Sequence, residues 1–142
     1  MRKVRRSALV VGTDEWAADQ VAGALRRGGV EVLRCHYPGD PAFPCNAFIP
    51  GRVCPLDAGF DVAVTARARS SPKPESGEIG VICALRTGHP LVVAGVVADH
   101  PFASVAAGEV PEGGNLLEAV AEASESERTD RPDLVDLRTF PG

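Results

Sequence analysis

Short apolar runs alternate with helical stripes along most of the chain. Ser7–Val11 (SALVV) has no polar alternate and is closed by Gly12, the pattern of a strand buried on both faces. Thr13 or Asp14 is placed to cap a helix, with Glu15 in its first turn. Ala17, Ala18, Val21, Ala22 and Leu25 then recur at helical spacing. Arg26 and Arg27 suit the negative end of that helix, and Gly28 with Gly29 stops it. Residues 30–34 (VEVLR) alternate as a second strand, 61–66 (DVAVTA) form a third, and 91–94 (LVVA) a fourth. A shorter fifth is read at 102–106. A flexible loop at 69–76 (RSSPKPES) separates strand three from a short helix at 78–86 (EIGVICALR). The last helix has the clearest signature. Asn115 caps it, Glu118 stands three residues on as in a capping box, and Leu116, Leu117, Val120 and Ala121 make its apolar face.

The rhythm breaks once, between His36 and Asp57. Pro38, Pro41, Pro44, Pro50 and Pro55, with Gly39 and Gly51, leave no room for a helix of normal length. Alternating strands and helices imply a parallel sheet, and five strands of this size fit the order 2-1-3-4-5. The insert 36–57 thus replaces the second crossover helix with an irregular Cys/Pro-rich loop. The reading gives one domain over 1–127 and a charged, mobile tail over 128–142 containing Pro132 and Pro141.

Composition narrows the function classes. The chain has 142 residues, 44% hydrophobic and 24% charged, enough for one core. Its net charge of −4 provides no global field for nucleic acid or an anionic membrane. The cluster Arg2, Lys3, Arg5 and Arg6 reads as a solvated leader. Lysine is confined to Lys3 and Lys73 against thirteen arginines, which points to a GC-rich bacterial genome. No signal peptide or bilayer-spanning run is seen, so the expected location is the cytoplasm, where thiols stay reduced or bind metal.

The runs SALVVGTDE, FDVAVTA, HPLVVAG and FASVAAGEVPEGGNLLEAV together resemble a response-regulator receiver domain over roughly residues 8–123. The resemblance implies a flavodoxin-like three-layer sandwich. Receivers hold Mg²⁺ with acids after strand one, carry a phosphoacceptor aspartate at the end of strand three, and carry a lysine at the end of strand five. Asp14 and Glu15 stand at the first place, where their ordinary role is helix capping. Thr65 or Ala66 stands at the second, and Gly108 or Glu109 at the third. Without the aspartate no acyl phosphate can form, so the resemblance implies a receiver degenerate at its phosphorylation site.

Cys35, Cys45 and Cys54 lie in or beside the insert, and Cys83 lies in the helix before strand four. In a 2-1-3-4-5 sheet the insert and that helix share a face, so four thiols can converge at the carboxyl edge. Thiolates are soft ligands for an iron–sulfur cluster or zinc, and His36 is an alternate ligand. The spacings of nine, eight and twenty-eight residues match no zinc-ribbon or ferredoxin motif. Four inert thiols bound to no metal are the plain alternative, with Cys83 an ordinary core residue and Cys45–Cys54 a reversible redox pair. A cysteine enzyme would need a dyad such as Cys54–His100 or Cys35–His36. His89 sits at the amino end of strand four, away from that edge. Phosphate-binding glycine motifs are absent. Trp16 and Tyr37 read as packing residues.

The reading is a regulatory or sensory module that has lost phosphotransfer, binds a metal or cluster through Cys35, Cys45, Cys54 and Cys83, and acts by contact with a protein partner. The alternatives are a small cysteine-dependent enzyme and a metal-free interaction domain. A homodimer is expected only by analogy with receivers.

Overall fold

The structure, a computed structural model, describes residues 6–35 and 46–126. Arg2, Lys3 and Arg5, the stretch 36–45 with His36, Tyr37 and Cys45, and the tail beyond 126 lie outside those residues. Five parallel strands form one sheet in the order β2-β1-β3-β4-β5, as the pattern predicts. They are β1 (Ser7–Val11), β2 (Glu31–Arg34), β3 (Val62–Arg67), β4 (Leu91–Gly95) and β5 (Gly108–Pro111).

Side chains alternate across the sheet, and each face has its own cover. On one face Val10, Val64 and Val92 meet Ala18 and Leu25 of helix α1 (Glu15–Arg27) and Val120 and Ala123 of helix α4 (Leu116–Ser126). On the other, Leu9, Ala63 and Val93 meet Val81, Ala84 and Leu85 of helix α3 (Ile79–Arg86). Phe60, Phe102 and the partly buried Leu56 and Val97, from the irregular connections, complete that second core. The described part of the insert holds a 3-10 turn at Asn46–Phe48 and the four-residue helix α2 (Pro55–Ala58), with proline at its start where no amide partner is lost.

The predicted caps are in place. Asp14 Oδ1 accepts from the Ala17 amide at 3.0 Å, and Asn115 Oδ1 accepts from the Glu118 amide at 3.0 Å. One strand is displaced. The fifth strand, expected at 102–106, is Gly108–Pro111, and Ala103–Val105 is a 3-10 turn whose neighbour Phe102 is buried in the second core. The reason is reach: β4 ends at Gly95, and a parallel neighbour needs a crossover of about a dozen residues. A strand beginning at 102 leaves too little chain to return to the amino edge.

Candidate functional site

The carboxyl edge of the sheet gathers the chemistry, and the pleat divides it into two unlike halves. Thr65 and Arg67 point to the α3 face of β3, while Ala66 points to the α1 and α4 face.

On the α3 face, Glu78 is the hub. It ends a 3-10 turn, Ser76–Glu78, and its side chain turns inward with no exposure. Its two oxygens receive four donors. Oε2 accepts from Thr65 Oγ1 at 2.9 Å and Arg67 Nε at 2.8 Å. Oε1 accepts from Arg67 Nη2 at 2.8 Å and the Glu75 amide at 3.0 Å. The guanidinium thus grips the carboxylate with both prongs, the strongest form of such a pair. Two more N–H groups go to backbone: one on Nη1 to the Ser71 carbonyl at 2.6 Å and one on Nη2 to the Lys73 carbonyl at 2.9 Å. The loop predicted to be flexible at 69–76 is therefore tied at two carbonyls. Gly77 closes the same corner, with its amide on Thr13 Oγ1 at 3.0 Å; a Cβ there would lie 2.6 Å from the Thr13 backbone.

His100 stands at the rim of this cluster with its side chain fully buried. Nδ1 accepts from the Phe102 amide at 3.2 Å, which places the proton of the neutral ring on Nε2. Nε2 has no hydrogen-bond partner among the described residues and lies 4.0 Å from Glu78 Oε2, whose acceptor sites are already taken. The preceding Asp99 adopts φ 55°, a left-handed conformation that Asp tolerates better than most residues. Burial pushes the His100 pKa below 6.5, and the Arg67 charge adds to the effect against weaker opposing pulls from Glu78, Glu109 and Glu75. For Glu78, burial acts to raise the pKa, but the bonds from Arg67, the Glu75 amide and Thr65 outweigh it and hold the net value below 4.5. The same pair raises the Arg67 pKa.

On the opposite face, Ala66, Ala94 and Val110 stand in one register row. They floor a cavity of ≈ 360 Å³ between α1 and the turn from β5 to α4. This row corrects the expected lysine place: Glu109 lies in the row of Thr65 through Val93, and Val110 lies in the row of Ala66. Gly95 has φ +92°, and a Cβ there would collide with the Arg67 carbonyl, so only glycine lets β4 end against β3. Trp16, expected to pack, is 65% exposed at this cavity.

The receiver resemblance implies Mg²⁺, and the residues here do not fit it. Asp14 spends an oxygen on its own helix, Thr65 donates its hydroxyl to buried Glu78, and the position facing the cavity is alanine. A hard divalent cation needs several oxygens at fixed geometry, and this row supplies none from side chains.

The cysteines are placed as follows. Cys35 is half-buried, and its Sγ packs on the first turn of α3: a Cβ added to Gly80 would lie 2.7 Å from it. Cys83 follows one turn later and is exposed, not a core residue. Cys54 is the residue before α2 and is half-buried. The described residues hold no group of three or more His, Cys, Asp or Glu side chains that could hold a metal ion, and Cys45 and His36 lie outside them. His100 sits among Glu78 and Arg67, and His89 stacks on Phe60 at 4.2 Å between ring centroids.

Sequence reasoning did not find the Arg67–Glu78 pair. Its signal was an arginine at the end of an otherwise apolar strand, a charge that burial must match with an opposite one.

The fold is flavodoxin-like α/β, with the apolar row of Ala66, Ala94 and Val110 at its carboxyl edge. No family model matches the chain, and no curated protein matches it. Solved structures do. A candidate response regulator from Chloroflexus aurantiacus superposes with a TM-score of 0.54 at 15% identity, over 89% of this chain and 100% of its own. A fusion carrying the yeast Spc42 trimeric coiled coil matches with a TM-score of 0.53 at 14% identity, over 98% and 92% of the two chains. A response regulator protein from Burkholderia multivorans matches at 0.45 and 15% identity, over 98% of each chain. The likeness to the first two is one of fold.

Proposed function

We propose that this chain is a regulatory module on a receiver-type scaffold that works without phosphotransfer and acts by contact with another protein. One observation carries the reading: the residue of β3 that faces the would-be acceptor pocket is Ala66, and its neighbours Thr65 and Arg67 are locked on the far side of the sheet by Glu78. A scaffold that keeps the receiver fold and lacks the acceptor retains its surfaces as the working part. Phe48 (68%), Val53 (62%), Ile79 (45%) and Ile82 (46%) are exposed large apolar residues on the insert and α3, side chains that a protein partner would cover. The test is incubation of the full chain with acetyl phosphate and Mg²⁺, read by intact mass. No adduct is expected. A hydroxylamine-labile phosphate adduct overturns the reading.

A second reading rests on the contact of Cys35 with α3 one turn before Cys83. In it the cysteine edge senses redox state or holds an iron–sulfur cluster or zinc, with Cys45 and Cys54 as further ligands. Iron, sulfide and zinc are measured on protein purified without oxygen. A stoichiometric metal that is lost in Cys35→Ser and in Cys83→Ser supports the ligand form, and metal-free, stably folded protein ends that form; redox sensing falls if oxidant leaves all four thiols reduced by mass.

A further inference from the structure

The cavity between α1 and the β5–α4 turn has a use of its own, which stands whether or not the domain regulates a partner. At ≈ 360 Å³ it is within the range of small-molecule sites. Its floor is small and apolar because Ala66 and Ala94, each the last but one residue of its strand, offer a single methyl each, and Val110 continues the row. Trp16 and Gln20, one turn apart on α1, form one wall, and Glu112 stands on the opposite turn.

The charges at this cavity decide the ligand. Among the described residues that line it, only Arg67 and Glu112 are charged. Arg67 offers nothing to a ligand: its side chain is 1% exposed, and Nε, Nη1 and Nη2 are all bonded on the other face of the sheet. Glu112 is exposed and on the cavity side. The nearby helix starts, which would otherwise favour an anion, carry the chain's own carboxylates: Asp14 and Glu15 on α1, and Glu118 on α4. A phosphate or carboxylate ligand would therefore meet negative charge with no available cation among the described lining residues. A flat ring finds apolar floor below it, an indole beside it and an acceptor at the rim.

We propose that this cavity binds a small, largely apolar ring compound, neutral or positively charged, with its polar group toward Glu112. Cation–π attraction to Trp16 adds to the preference for a cation.

Three probes share one ring and differ in charge: indole, tryptamine and indole-3-acetate. Trp16 is the one tryptophan of the chain, so its Nε1–H gives a single NMR peak at the cavity. The full chain, ¹⁵N-labelled, is titrated with each probe. The expected result is a saturable shift of that peak with tryptamine and indole, with tryptamine at least about three-fold tighter than indole-3-acetate, the size of an exposed charge pair. Ala94→Leu fills the floor and removes the shift. Glu112→Gln changes only an exposed side chain, keeps indole binding and erases the preference for tryptamine, so the test holds even if Ala94→Leu does not fold. No saturable shift with any probe overturns the proposal, as does equal or tighter binding of indole-3-acetate, or a tryptamine preference that survives Glu112→Gln.

Discussion

The two faces of the sheet solve the same problem by different means. The α1 and α4 face is covered by helices of 13 and 11 residues, capped by Asp14 and Asn115, over a core of Val, Leu and Ala. Its buried hydroxyl, Ser124, is satisfied within its own helix by the Val120 carbonyl at 2.8 Å. The other face has an eight-residue helix, a four-residue helix and 3-10 turns. Irregular backbone does not satisfy its own carbonyls, and burial makes each unmet one costly. Arg67 meets two of them, at Ser71 and Lys73, and Glu78 balances its charge. The polar network does on this face what regular helix does on the other. The contrast also explains why the carboxyl edge is filled by a buried ion pair on one side and holds an open cavity on the other.

The largest predicted effect strikes that network. Arg67→Ala leaves Glu78 buried without its cation and is expected to cost about 3–5 kcal/mol, measured by urea unfolding. Arg67→Met with Glu78→Leu is expected to cost less than Arg67→Ala alone, because no charge is stranded. An Arg67→Ala cost below about 1 kcal/mol would mean that the irregular face stands on its apolar contacts after all. Acid acts on the same cluster in two steps. His100 has a folded pKa below its unfolded 6.5, so the unfolded chain takes up a proton first, and stability falls as pH drops below about 6.5. Glu78 has a folded value below 4.5; its contribution is complete above that pH and is lost as pH falls through the lower folded value. His100→Asn keeps an acceptor for the Phe102 amide and is expected to remove the first step.

The apolar face gives the counterpart. Leu25 is fully buried between α1 and the sheet, and Leu25→Ala is expected to cost about 2–4 kcal/mol. This cost should be the same at about pH 7.5 and about pH 5.5, since no titrating group is in that core. A pH-dependent cost would show that the two faces are coupled through the sheet.

What was legible in the sequence follows the same division. SALVV, the Asp14 cap, the stripe of α1 and the Asn115–Glu118 signature are local and repetitive, so the apolar face could be read from spacing alone. Strand order followed from alternation. The fifth strand was misplaced because FASVA is as apolar as a strand, and only the length of the crossover decides that it is a turn. The Arg67–Glu78–Thr65 cluster joins residues eleven and thirteen positions apart through a turn with no period, so no pattern announces it. The cavity was invisible for another reason: it exists because Ala66, Ala94 and Val110 fall in one row, and register is a property of three strands, not of any one.

The smallest predicted effect settles what Asp14 is for. It stands where a receiver would place a metal-binding acid, and its Oδ1 accepts the Ala17 amide as an N-cap should. If capping is its work, Asp14→Ala costs about 1 kcal/mol, and Asp14→Ser, which restores an acceptor of the same reach, recovers most of it. Mg²⁺ then changes the unfolding midpoint of the parent chain and of both variants alike. If Asp14 held the cation, the parent would gain about 2.7 kcal/mol at a hundred-fold excess of Mg²⁺ over its Kd, and both variants would lose that gain together. Serine rescues a cap and cannot rescue a carboxylate ligand, so the Ser variant, measured with and without Mg²⁺, separates a helix end from the remnant of an acidic pocket.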